Sequence, residues 1–183
     1  MKKEWMSFLV LVFIGVLSRL IPHPWNFTAV TAMALYSGVA FKKNKIFMLV
    51  PIVTLFLSDL YLGFHNTLFF TYLGFGIVAI MSSSIFSQSE FFSNGKNMVL
   101  MGGVSLIGSL LFFLVSNFGV WFASGIYEKN AAGLVQCFIA AIPFLRIQIL
   151  GDLFYTGVFG VIFTILNAKA HGSQKPTHMK QRF

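Results

Sequence analysis

Residues 18–31, SRLIPHPWNFTAVT, place an arginine, a histidine, a tryptophan and an asparagine between two apolar runs. Arg19, His23 and Asn26 can hold a polar ligand by hydrogen bonds, and the Trp25 ring can stack against one. Pro22 and Pro24 lack an N–H, fix φ and push the residue before each of them out of the helical region, so the backbone must break here. A polar, stiffened break between two apolar segments is fit to form one wall of a pocket. Asp59, His65, Asn117, Trp121, Arg146 and Asp152 are the other side chains along the chain whose chemistry suits such a site.

The chain around these residues is built for lipid. Of 183 residues, 57% are hydrophobic and 10% charged, against about 25% charged in a soluble domain. A soluble enzyme is excluded, and the length allows one domain, residues 1–168, with a basic cytoplasmic tail over 169–183. The net charge of +8 would suggest nucleic acid for a soluble chain, but the lysines lie at the ends of apolar runs, so the partner they imply is the bilayer. The N-terminal MKKE resembles the start of a signal peptide; Arg19 and two prolines ahead of a further apolar run favour an uncleaved first helix.

Apolar segments fall at 5–21, 28–41, 46–64, 67–86 and 98–123, with polar connections at 42–45, 65–66 and 87–97. The run at 131–168 is interrupted by Pro143 and Arg146, which suggests a short interfacial helix over 133–142 and a last span over 145–168. The expected fold is an all-α integral membrane protein, a six-helix transmembrane bundle with that short extra helix before the last span.

Charge then orients the bundle. With six spans and both termini cytoplasmic, the inner side holds Lys2, Lys3, Lys42, Lys43, Lys45, Lys96, Lys169, Lys175, Lys180 and Arg182, while the outer connections hold only Lys129. Adding or removing one span would destroy this bias. The same topology gathers Arg19, Asp59, Arg146 and Asp152 in the outer half of the membrane, together with His23, Trp25, Asn26, His65, Asn117 and Trp121. Ionised groups at that depth must pair or face a water-filled cavity. Two readings follow: a ligand pocket lined by these ten residues, or ion-pair staples in which Arg19 takes Asp59 or Asp152 and Arg146 takes the other. Trp25 and Trp121 have the further reading of interfacial anchors.

Ala34 and Gly38 give the second segment a small-xxx-small face, suited to packing within the bundle or to docking another membrane protein. Cys137 excludes an internal disulfide and reads as a buried thiol. No two His, Asp or Glu residues have the i, i+4 spacing of a helical metal site, and no Ser or Cys has an evident base partner, so no catalytic or metal role is expected and no cofactor is indicated. A membrane-embedded enzyme and a non-catalytic assembly subunit are the competing functional classes.

Four stretches carry a resemblance: residues 19–32 (RLIPHPWNFTAVTA), 58–65 (SDLYLGFH), 116–121 (SNFGVW), and 133–144 (GLVQCFIAAIPF) with 151–153 (GDL). They resemble a bacterial family of small multi-pass membrane proteins, a domain of unknown function. That family in turn looks like the S-components of energy-coupling factor vitamin transporters. The resemblance implies six helices, an outward-facing pocket for a vitamin-like small molecule, residence in the inner membrane, and delivery through a transmembrane coupling protein driven by ATPases. Small-residue docking in S-components would place that contact at Ala34 and Gly38.

Overall fold

The computed structural model describes residues 2–40, 48–85 and 96–172, and within them every regular element is helical. Six helices follow in order: α1 Lys2–Leu20, α2 Val30–Ala40, α3 Val50–Leu62, α4 Leu68–Ile85, α5 Lys96–Ala123 and α6 Ala131–Gly172. The expected basic connection at 42–45, most of the one at 87–97 and the tail from residue 173 lie outside the described residues.

The helices are arranged for a solvent that is apolar. Leu9, Val10 and Phe13 on α1, Phe69, Leu73 and Ile80 on α4, and Val99, Leu106, Leu110 and Leu114 on α5 are exposed. Ser58, Asp59, Ser82, Ser105, Ser109, Gln148, Asp152 and Thr156 are buried. Polar groups turned inward and apolar groups outward fit lipid, where a backbone or side-chain polar atom must find its partner inside the protein. Three helical stretches are long and apolar enough to cross a membrane, Leu68–Ile85, Val99–Ala123 and Ala131–Ile162; the apolar parts of the others, Phe8–Leu20, Val30–Val39 and Val50–Leu62, are shorter.

The short α2 is the axis of the bundle. It packs against each of the other five helices, and residues 29–39 are buried without interruption. A helix wrapped by protein on all sides need not reach both lipid surfaces, which accounts for its 11 residues, about 17 Å of a core near 30 Å. Small side chains make this possible. Ala29, Ala32 and Ala34 are fully covered, and a Cβ added to Gly38 would lie 2.5 Å from the Ala79 carbonyl oxygen of α4. Ala34 and Gly38, expected as a possible docking face, are therefore buried within the bundle, with α4 seated against Gly38.

The expected division of the last apolar run into two helices is corrected. α6 is a single helix of 42 residues with Pro143 inside it. Proline removes one N–H, here the donor to the Ile139 carbonyl, but a membrane helix tolerates that loss where neighbours hold it. The pairing of α5 with α6 is the most extensive in the bundle, and Trp25 stacks on Phe144 beside the proline, ring centroids 5.4 Å apart at 6°.

Turns place the remaining side chains. The N–H of Phe27 donates to the Pro24 carbonyl at 3.0 Å, and Asn26 takes φ 63° at the third position of that turn, a conformation asparagine tolerates. Ser18 Oγ accepts from the Ala29 N–H at 3.2 Å and donates to the Gly15 carbonyl at 2.8 Å, which locks the end of α1 to the entry of α2. Pro51 sits in the first turn of α3, and Gly63 ends it at φ 93° with its N–H on the Asp59 carbonyl, as a residue without Cβ can.

Candidate functional site

A cavity of about 360 Å³ opens at the end of the bundle where α1, α3 and α5 finish and α2, α4 and α6 begin. All six helices contribute: Arg19 from α1, Thr31 from α2, Leu55 from α3, Thr71 and Phe75 from α4, Phe112, Phe113, Ser116 and Asn117 from α5, and Phe144, Gln148 and Asp152 from α6. His23, Asn26 and Thr28 come from the proline-stiffened break, and His65 and Thr67 from the turn between α3 and α4. Of the ten residues singled out in the sequence, Arg19, His23, Asn26, His65, Asn117 and Asp152 meet in this lining; Trp25, Asp59, Trp121 and Arg146 do not.

On one wall Arg19 Nη2 donates to Asp59 Oδ1 at 2.7 Å, and Tyr72 donates its hydroxyl to Asp59 Oδ2 at 3.0 Å. Asp59 lies behind Arg19, fully buried, with its negative charge met by the guanidinium and the phenol. Arg19 Nη1 is buried with no acceptor.

A second wall is a polar seam between α5 and α6. Ser109 Oγ donates to Asp152 Oδ2 at 2.6 Å, and Gln148 Nε2 reaches the Ser109 carbonyl at 3.1 Å and Asp152 Oδ2 at 3.4 Å. One turn further along, Thr156 donates to Ser105 Oγ at 3.1 Å. Of the ion-pair reading, the pairing of Arg19 with Asp59 is present and that of Arg146 with Asp152 is not. Arg146 is exposed, because six residues of helix turn it roughly 120° away from Asp152, and Asp59 is already taken by Arg19. Asp152 is buried and, among the described residues, forms no salt bridge.

Two imidazoles stand nearer the opening. His23 Nδ1 is 2.7 Å from the Pro24 carbonyl; a carbonyl only accepts, so Nδ1 carries the proton. His65 Nδ1 is 2.8 Å from Thr67 Oγ1. The apolar surface between the polar walls includes the stacked Phe75 and Phe112, whose centroids are 4.1 Å apart.

Trp121 belongs to the end of α5. Its Nε1–H donates to the Glu128 carbonyl at 2.9 Å, Lys129 Nζ lies 5.5 Å from its ring centroid, and the same ammonium donates to the Trp121 carbonyl and to that of Phe122. A cation there satisfies the last carbonyls of the helix. Cys137 is buried between α5 and α6, its thiol on the Asn117 carbonyl at 3.4 Å. Among the described residues no group of three or more His, Cys, Asp or Glu side chains is placed to hold a metal ion.

Gln148, Ser109 and Tyr72 were not singled out from the sequence. For the first two a signal existed: Gln148, Asp152 and Thr156 recur every four residues, as do Ser105 and Ser109, which puts each set on one helix face. Tyr72 carries no such mark. No curated protein and no solved structure matches the chain. A family model does match, over residues 1–176, and the chain belongs to that family, DUF6580, a family of unknown function.

Proposed function

We propose that the protein is a multi-pass membrane protein that binds a small, vitamin-like molecule in the end cavity and serves as an uptake subunit. The observation that carries this reading is the cavity itself, a space of about 360 Å³ to which all six helices contribute and into which a buried acid is set. Ligand sites in proteins have this size and this mixture of apolar walls with a few placed polar groups. An ionisable residue kept at membrane depth is more often functional than structural.

In this reading the six helices cross the membrane with both termini cytoplasmic, and the cavity opens to the outer face. The alternation of helix direction at the cavity end supports it, as does the concentration of lysines and arginines in the segments that this topology puts inside. Release of the ligand to the interior would then need a coupling partner, as for S-components that work with a transmembrane protein and ATPases.

The test is native mass spectrometry with small-molecule extraction on protein purified in mild detergent from cells grown in rich medium. A stoichiometric small-molecule adduct, lost in Asp152→Asn, is the expected result. An adduct that emerges chemically changed would instead favour a membrane-embedded enzyme. Protein free of any adduct that co-purifies with another membrane protein would favour an assembly subunit, a reading for which the Arg19–Asp59 staple speaks.

A further inference from the structure

We infer that the cavity takes a small organic cation, an ammonium or amidinium group seated on Asp152 with a flat apolar body lying among the phenylalanines; this rests on the small-molecule reading above. What the cavity leaves unmatched is a charge. Arg19 and Asp59 neutralise each other across 2.7 Å, whereas Asp152, 1% exposed, receives hydrogen bonds from the neutral Ser109 and Gln148. An ionised carboxylate held there is stabilised by donors but not neutralised, and a bound cation would supply the missing charge. A carboxylate or phosphate placed at the same point would meet repulsion.

The walls narrow the class. Phe75, Phe112, Phe113 and Phe144 line the same space, and aromatic faces attract organic cations and flat rings. A bare metal ion would need several oxygen ligands around it, which aromatic walls do not offer. The size agrees: at about 30 Å³ per water, 360 Å³ admits a molecule of roughly a dozen non-hydrogen atoms. Arg19, which lines the same cavity and whose Nη1 is buried without an acceptor, gives a second contact to a ligand that also carries a carbonyl or hydroxyl oxygen.

The experiment uses the full chain in detergent and three probes with one ring and three charges: benzylamine, benzyl alcohol and benzoate. Affinity is read by calorimetric titration, with Asp152→Asn titrated in parallel as the control for partition into micelles. Benzylamine should bind at least tenfold more tightly than either of the others, and Asp152→Asn, still folded, should lose that preference. Should the variant fail to fold, the ranking of the three probes on the wild-type protein decides alone. Equal or tighter binding of benzyl alcohol or benzoate overturns the cation assignment and leaves the small-molecule cavity standing. Binding of none of the three at millimolar concentration overturns the cation assignment, while the small-molecule reading is decided by the adduct experiment above.

Discussion

Arg19 Nη2 and Asp59 Oδ1 meet at 2.7 Å across 40 residues of chain, the one ion pair among the described residues, and they tie the last turn of α1 to the last turn of α3. Asp59 is 1% exposed and Arg19 16%, so removing either partner strands the other away from water. Asp59→Asn should cost about 3 to 5 kcal/mol of stability, while Arg19→Met combined with Asp59→Leu should recover most of that loss, because no uncompensated charge remains. Denaturant unfolding in micelles measures both. A cost below about 1 kcal/mol for Asp59→Asn would mean that the pair behaves as a solvated surface bridge.

Gly38 is the point of closest approach between α2 and α4. The atom a side chain would strike is a backbone oxygen, that of Ala79 at 2.5 Å, which cannot swing aside. Gly38→Ala should therefore lower stability by about 1 to 3 kcal/mol through overpacking, despite the higher helix propensity of alanine. Gly76, with open space beyond it on α4, is the control: Gly76→Ala should raise the melting temperature. Equal effects of the two substitutions would show that α2 and α4 do not meet at Gly38.

The all-helical class and the helix order were legible in the sequence because composition and apolar run length depend on the solvent, not on packing; three of the helices are long and apolar enough to cross a membrane. Six of the ten expected site residues share the cavity lining for a related reason: polar groups in an apolar chain have few places to go. What sequence alone left open was rotation about each helix axis. Arg146 and Gln148 lie two residues apart, yet one is exposed and the other buried, and only the packing of α5 against α6 decides which. The sequence offers Trp121 as a ligand contact or an anchor, whereas its ring and carbonyl are engaged by Lys129, a contact that no sequence pattern marks.

The continuity of α6 through Pro143 is open to direct test. A residue with an N–H at position 143 can donate to the Ile139 carbonyl only if the segment is helical there, so Pro143→Ala should add a backbone hydrogen bond and raise stability by about 1 kcal/mol. Thermal melting in detergent reads the change. An unchanged or lower melting temperature would favour two helices joined at the proline, the arrangement that the sequence suggests.

The seam between α5 and α6 also reports the charge on Asp152. Ser109 donates to that carboxyl at 2.6 Å, whereas the neighbouring contact, Thr156 to Ser105 at 3.1 Å, joins two neutral hydroxyls. Hydrogen bonds to a charged group contribute about 1.5 to 3 kcal/mol and neutral ones about 1 kcal/mol, so Ser109→Ala should cost more than Ser105→Ala in the ligand-free protein. Combining Ser109→Ala with Asp152→Asn should then cost less than the sum of the singles, with a coupling of about 1 kcal/mol or more in the double-mutant cycle. If Ser105→Ala and Ser109→Ala prove equally costly and the cycle shows no coupling, Asp152 is held as the neutral acid, and the cavity has no charge for a cation to meet.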